Sequence, residues 1–208
     1  MKIIKRNGET QEFQPDKIVE RIKKQCKDLS CDYDQVAAES IGHIANNIDK
    51  KITTKEIDEI SIKIAAHKVS LHPDYSYLAS RLLISRLHKE RLKVINVDDL
   101  HERVKTNYAK WETFINNNID YERDYNFDYF GITTLLKSYL LPKELPQQMY
   151  ARVALYLADT KDEWLSYYTL LSQQKISVAT PILMNGGTIN SSLISCCLVD
   201  NLADSLEG

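Results

Sequence analysis

The sequence predicts a mainly α-helical chain that opens with a β-hairpin and four helices and continues as a second helical region ending in a short strand. Three observations predict this class. The pair Asn7-Gly8 stands between the apolar residues Ile3 and Ile4 on one side and Phe13 on the other, as in a hairpin. Apolar residues then recur at helical spacing over most of the chain. The composition, 43% hydrophobic and 27% charged, is that of an ordinary globular protein.

The first predicted unit covers residues 1–93. Its hairpin spans residues 2–13, and Pro15 suits the first turn of the following helix. Thr53 and Glu56 form a capping-box pattern that opens the third helix, and Pro73 is expected to end it. The four helices are predicted to bury Ile18, Ile22, Cys26 and Leu29; Ala37, Ile41, Ile44 and Ile48; Ile57, Ile60, Ile64 and Leu71; and Tyr75, Leu78, Leu82 and Leu83.

The second predicted unit covers residues 94–208. Residues 94–130 show little regularity, and Asn116 to Asn118 predict a loop. Helices resume at Tyr129 and continue to about Leu171. A turn at Asn185-Gly186-Gly187 then leads to Ser192–Val199, which predicts a short buried strand.

Composition also excludes several function classes. The N-terminus lacks the apolar core of a signal peptide and the longest apolar runs are too short to span a membrane, so we expect a cytoplasmic protein without a membrane partner. The net charge of −2 predicts no nucleic-acid partner. The four cysteines form no C-x-x-C and the histidines show no ligand spacing, so no metal site is expected.

The first candidate site lies at the hairpin, where Lys5 and Arg6 stand close to the start of a helix. Exposed N–H groups and cations in this arrangement suit a triphosphate. A solvated hairpin with surface lysines explains the same residues, and on composition alone that alternative is favoured.

The string IKRNGETQEFQPDKI, followed by TTKEIDEI and HPDYSYLASRLLISRLHKE, resembles the ATP-cone family from Met1 to about Leu92. The resemblance implies a domain that binds ATP or dATP as allosteric effector. It implies these nucleotide contacts: Lys5, Arg6, Gln11, Glu12, Phe13, Gln14, Pro15, Asp16, Lys17, Thr54, Asp58 and Lys89. For Thr54 and Asp58 the alternative is ordinary first-turn helix chemistry.

The second candidate site is the adjacent pair Cys196 and Cys197. Neighbouring residues on a strand point to opposite faces, so at most one of these thiols faces a given site. The alternative is that both are small buried hydrophobes, which is the common role of a buried free cysteine.

Ala179-Thr180-Pro181, the Asn-Gly-Gly turn and Ser195-Cys196-Cys197-Leu198 together resemble the first catalytic segment of ribonucleotide reductase large subunits. The resemblance implies that the strand is the first of a ten-stranded α/β barrel and that Cys196 is one half of a redox pair. It further implies that Thr180 and Ser195 bind substrate, and that Asp204, Ser205 and Leu206 contact a specificity effector. For that last tripeptide an N-cap is an equally good explanation.

The implied activity is the reduction of ribonucleoside diphosphates to deoxyribonucleotides by radical chemistry. The implied partners are a metal-bearing small subunit that supplies the radical, a second large subunit, the remainder of the catalytic domain, and thioredoxin or glutaredoxin as reductant. The chain is then a fragment or half of a split subunit, inactive by itself. Two alternatives remain: a stand-alone ATP/dATP-sensing module, and a transcription repressor, whose expected zinc ribbon does not precede the hairpin.

Overall fold

The computed structural model describes residues 2–46 and 52–196, and in this range the chain is mainly helical, as the sequence predicts. Clustering of contacts separates two compact units. The first consists of residues 1–94 and 120–147, and the second of residues 95–119 and 148–208. From the sequence, residues 120–147 are predicted to belong to the second unit, which begins at residue 94. In the structure this segment packs with the first unit.

The predicted hairpin is present as β1 (Lys2–Ile4) and β2 (Thr10–Glu12), paired antiparallel with Ile4 opposite Thr10. Its connection is longer than the two-residue turn that Asn-Gly suggests. The amide of Lys5 donates to the carbonyl of Glu9 at 2.8 Å, and Gly8 takes the positive φ of 83° that glycine tolerates best. A third strand, β3 (Ile52–Thr53), runs parallel to β1 and was not predicted, because two residues show no periodicity.

Four helices complete the front of the first unit: α1 (Pro15–Gln25), α2 (Tyr33–Ala45), α3 (Thr54–His67) and α4 (Asp74–Glu90). Pro15 begins α1 as predicted. The capping box is also confirmed: the amide of Glu56 donates to Thr53 Oγ1 at 3.2 Å, and the amide of Thr53 donates to the Glu56 carboxylate at 2.7 Å. Predicted core residues that are fully buried include Ile22, Ile44, Leu78 and Leu82.

The end of α3 differs from the prediction. The helix ends at His67 and a 3₁₀ turn (Lys68–Ser70) follows, so Leu71 is not on its buried face and is 68% exposed. Pro73 acts as the N-cap of α4 instead of ending α3. Proline is tolerated at a helix start because its missing N–H has no partner there in any case. Ile48 lies outside the described residues.

The segment 120–147 continues the first unit with a 3₁₀ helix (Tyr121–Asn126), α6 (Tyr129–Thr134) and a π-helical turn (Leu135–Tyr139), so helices resume at Tyr129 as predicted. It is fastened to α4 by buried polar contacts. His88 Nε2 lies 2.7 Å from Asp124 Oδ2, and the amide of Tyr129 donates to Ser76 Oγ at 3.1 Å. Burial raises the pKa of Asp124 above its ordinary value, while His88 opposes that shift.

The second unit contains α5 (Glu102–Asn118), most of α7 (Pro146–Leu157), α8 (Lys161–Ser172) and the short α9 (Thr180–Asn185). The prediction of an irregular stretch with a loop at Asn116–Asn118 is wrong, because those residues form the last turn of α5. Val104, Tyr108 and Ile115 are buried at helical spacing, but the polar residues between them obscured the period.

The turn at Asn185-Gly186-Gly187 is confirmed, and glycine is required there. Gly187 has a φ of 81°, and a Cβ atom at this position would lie 2.9 Å from Val104 Cγ2 and 3.0 Å from Arg152 Cγ. The fully buried Arg152 guanidinium donates to the carbonyl of Gly186.

The predicted buried strand at Ser192–Val199 is not found in its described part. Residues 192–196 are in neither helix nor strand, and Ile194 is 73% exposed. A strand needs a neighbouring strand to form hydrogen bonds with its amides and carbonyls. The described residues of the second unit contain no β-strand that could serve as this neighbour. Residues 197–199 lie outside the described range.

Candidate functional site

A cavity of about 530 Å³ opens in the first unit between the hairpin, α1, the start of α3 and the end of α4. The fold positions each wall. The capping box begins α3 at Thr54, and Pro15 begins α1 directly after the hairpin, so the two helix starts and β1 lie side by side. The lining residues are Ile3, Lys5, Arg6, Gln11, Phe13, Gln14, Lys17, Ile18, Glu20, Arg21, Lys24, Gln25, Thr54, Ile57, Asp58, Ser85 and Lys89.

The cavity brings together most of the residues for which the sequence predicts nucleotide contacts. Nine of them line it: Lys5, Arg6, Gln11, Phe13, Gln14, Lys17, Thr54, Asp58 and Lys89. Glu12, Pro15 and Asp16 do not line it, although they alternate along the chain with residues that do. All three are exposed.

Asp58 organises the arginines of this cavity. The side chain is 5% exposed, and its two carboxylate oxygens accept hydrogen bonds from Arg6 and Arg21, one oxygen to each. The guanidinium of Arg21 also donates to the carbonyl of Leu82 at 3.2 Å. Asp58 therefore fixes two cations at the cavity wall, a role that first-turn helix chemistry alone does not provide.

Arg21 and Lys24 were missed by the sequence analysis. A helical signal was available, because Lys17, Arg21 and Lys24 are spaced four and three residues apart and share one face of α1. The apolar stripe of the same helix does not include them. Burial lowers the pKa of Arg21 from its ordinary value, and Asp58 counteracts this effect.

The cavity is electrostatically positive. Six basic side chains line it against two acidic ones, Glu20 and Asp58. Burial lowers the pKa of Lys89, and the positive charge of Arg21 lowers it further. Within the described residues the side chains of Lys17, Lys24 and Lys89 make no hydrogen bond or ion pair, so their charges are available to an anion.

Thr54 occupies a position distinct from the helix cap. The cap of α3 is made by Thr53 and Glu56, so the hydroxyl that satisfies the helix start is that of Thr53. Thr54, one residue later, lines the cavity. The backbone N–H of Thr53 lowers the pKa of Glu56, which holds the cap in its charged form.

Of the site residues predicted in the catalytic segment, the structure describes only Thr180, Ser195 and Cys196. Thr180 is the first residue of α9, while Ser195 and Cys196 are exposed neighbours, with Ser195 Oγ 3.8 Å from Cys196 Sγ. Cys197, Asp204, Ser205 and Leu206 lie outside the described residues.

Two further observations concern the described residues as a whole. None of the helices in residues 2–46 and 52–196 is both long and apolar enough to cross a membrane. The same range contains no cluster of three or more His, Cys, Asp or Glu side chains that could hold a metal ion.

Comparison with known proteins gives two family matches. Residues 1–90 match the ATP cone domain, and residues 125–191 match the all-alpha domain of ribonucleotide reductase. The first match contains every residue that lines the cavity.

Curated relatives are similar over the whole chain. A ribonucleoside-diphosphate reductase large subunit from Monkeypox virus is 37% identical, one from Arabidopsis thaliana is 34% identical, and a large chain from Saccharomyces cerevisiae is 33% identical. Each alignment covers 100% of this chain but only 30%, 28% and 26% of the respective relative. The chain therefore spans less than a third of the length of these relatives.

Proposed function

Because the chain belongs to the family of ribonucleotide reductase large subunits and corresponds to their N-terminal part, we propose that its front unit binds ATP and dATP as allosteric effectors. The observation that carries this proposal is the cavity at the hairpin. Its lining combines six basic side chains with the apolar side chains of Ile3, Phe13, Ile18 and Ile57. A nucleotide has the same two parts, a triphosphate and a planar base.

The triphosphate would be bound by cations rather than by a glycine-rich phosphate loop. Lys17, Lys24 and Lys89 are the cavity's basic side chains without an ion pair in the described range, and each would donate a charge-assisted hydrogen bond to phosphate. Arg6 and Arg21 are held in place by Asp58 and add positive field. Desolvation of Lys89 makes its ammonium a stronger electrostatic partner for a bound anion.

The remaining predicted contacts are assigned around this arrangement. Lys5, Gln11, Gln14 and Thr54 line the cavity and are proposed to contact the nucleotide directly. Glu12, Pro15 and Asp16 are proposed to act at its rim. We propose that residues 1–93 form the regulatory domain and that residues 94–208 form the start of the catalytic part.

For the complete protein we propose the reduction of ribonucleoside diphosphates to deoxyribonucleotides, carried out in the cytoplasm. Cys196 and a cysteine further along the protein would give up two electrons and two protons and form a disulfide, while the 2′-hydroxyl leaves as water. Thr180 and Ser195 would hold the substrate, and Asp204, Ser205 and Leu206 a specificity effector. The exposure of Cys196 supports this role, since its thiol has to meet both substrate and reductant.

The proposed partners follow from the same chemistry. A metal-bearing small subunit would supply the radical, thioredoxin or glutaredoxin would reduce the disulfide by thiol exchange, and two large subunits would form a homodimer. The relatives' names support a multi-subunit enzyme, since each is called a large subunit or large chain.

The experiment is to express the full reading frame that contains this chain, add a small subunit of the family, and measure deoxyribonucleotide formation. We expect turnover that ATP and dATP alter and that Cys196→Ser abolishes, whereas the neighbouring Cys197→Ser retains it. Turnover that survives Cys196→Ser would remove the redox role from this residue. Turnover that neither nucleotide alters would remove the regulatory role from the front unit.

A further inference from the structure

Two cysteines of the first unit meet outside the nucleotide cavity. Cys26 ends α1 as its C-cap, and Cys31 lies in the loop that leads to α2. Their Sγ atoms are 2.9 Å apart, and Cys26 Sγ also donates to the carbonyl of Cys31 at 3.4 Å. A disulfide has an S–S bond of about 2.05 Å, so the two sulfurs need to approach by less than about 1 Å to form one.

The loop is held so that Cys31 faces Cys26. The amide of Ser30 donates to Asp74 Oδ2 at 2.6 Å, and the amide of Asp32 donates to Tyr75 Oη at 3.2 Å. Both neighbours of Cys31 are thus fastened to the start of α4. The backbone on each side of Cys31 is consequently held next to the end of α1.

The two thiols differ in accessibility. Cys26 is buried, with 7% of its surface exposed, whereas Cys31 is half-buried. Burial, together with the adjacent Cys26, raises the pKa of Cys31 to about 12, so this group is a protonated thiol at neutral pH. Because the thiolate is the attacking species, exchange at Cys31 should accelerate as the pH rises.

No third ligand joins the pair. The described residues hold no group of three or more His, Cys, Asp or Glu side chains suited to a metal, so two cysteines alone do not make a zinc site here. Two thiols in contact are the reactants of intramolecular thiol–disulfide exchange.

We propose that Cys26 and Cys31 form a reversible intramolecular disulfide, a redox modification site separate from Cys196. The oxidant is a low-molecular-weight disulfide of the glutathione class. Cys31 attacks it, forming a mixed disulfide and releasing one glutathione, which takes the proton of the Cys31 thiol. Cys26 then attacks the Cys31 sulfur, forming the internal disulfide and releasing the second glutathione, which takes the proton of the Cys26 thiol. Two protein thiols are oxidised and one small disulfide is reduced.

The site lies at the end of α1, the helix that carries three of the cavity's basic side chains. The proposal concerns the thiols alone and does not depend on nucleotide binding. Mass spectrometry of the thiols therefore tests the disulfide independently of whether the chain binds nucleotide.

The test incubates the folded 208-residue chain with oxidised glutathione, blocks free thiols and digests with trypsin under non-reducing conditions. Lys27 separates the two cysteines, so the disulfide links peptide 25–27 to peptide 28–50. We expect this linked pair, its loss on treatment with a dithiol, and faster formation at higher pH. In Cys26→Ser the glutathione adduct should persist on Cys31, because the resolving thiol is missing.

Exposed Cys196 provides an internal control for oxidant strength. Free thiols at both Cys26 and Cys31, in a sample whose Cys196 carries glutathione, would overturn the proposal. A stable glutathione adduct on Cys31 of the unmutated chain would overturn it as well, since Cys26 would then fail to resolve it. Circular dichroism of Cys26→Ser, and of Cys31→Ser as a second variant, verifies that each remains folded.

Discussion

Replacing Lys89 by alanine should weaken binding of ATP and dATP without destabilising the protein. The side chain of Lys89 lines the cavity and makes no hydrogen bond or ion pair in the described range, so its removal breaks no native bond of either kind. Burial and the nearby Arg21 lower its pKa. A charge-assisted hydrogen bond contributes about 1.5–3 kcal/mol. The side chain is partly exposed, so we take about 1.5–2 kcal/mol, or roughly a 10- to 30-fold higher Kd.

The assay is titration calorimetry of the chain with each nucleotide, alongside thermal unfolding without ligand. Lys63→Ala is the matched control, because Lys63 is an exposed lysine of α3 that does not line the cavity. Lys63→Ala should bind like the unmutated chain. Unchanged affinity in Lys89→Ala, with both variants folded, would show that phosphate is not bound at this end of α4.

Four further outcomes are expected. Asp58→Asn should lower the free energy of unfolding in urea by about 3 kcal/mol, since it removes the buried anion that Arg6 and Arg21 share; a change below about 1 kcal/mol would contradict the role of Asp58. Thr53→Ala should lower the free energy of unfolding by about 1 kcal/mol, because α3 loses the side chain that caps its N-terminus. The pKa of Glu56 is lower in the folded protein than its ordinary value of 4.5, so the charged cap stabilises the protein fully above pH 4.5. This contribution is lost as the pH falls through the lowered pKa of the folded state. Glu56→Gln should therefore make the free energy of unfolding less dependent on pH in this range. Amides of residues 193–196, which lie in neither helix nor strand, should exchange rapidly with deuterium, and strong protection there would contradict the structure of this segment.

The front of the fold was predictable because its signals are local. Asn7-Gly8 predicts the hairpin, Pro15 the start of α1 and the Thr53–Glu56 pair the start of α3, and all three are confirmed. Each signal arises from backbone conformation or capping within a few residues. Resemblance to the ATP-cone family added residues from four separate elements, and nine of those side chains line one cavity.

The errors arise where a structure depends on distant partners. Strand β3 exists only because β1 lies beside it, and two residues carry no pattern of their own. Helix α5 buries a narrow stripe between polar residues, so its period was overlooked. The predicted strand at Ser192–Val199 requires neighbouring strands that the described part of the second unit does not contain.

Two features of the first unit depend on tertiary structure that the sequence pattern does not show. Lys17, Arg21 and Lys24 share a helical face, yet only their three-dimensional position shows that this face lines the cavity. Cys26 was assigned to an apolar stripe, and nothing in its spacing from Cys31 indicates that a loop fastened to α4 brings the two sulfurs together.

The most direct test of the central claim is calorimetric titration of the unmutated chain with ATP and dATP, with circular dichroism to show that the sample is folded. The cavity of about 530 Å³, its excess of basic side chains and its position within the matched ATP cone domain predict saturable binding of both nucleotides at one site per chain, in the millimolar-to-micromolar range. Absence of binding heat for both nucleotides in a folded sample, at concentrations reaching several millimolar, would contradict it.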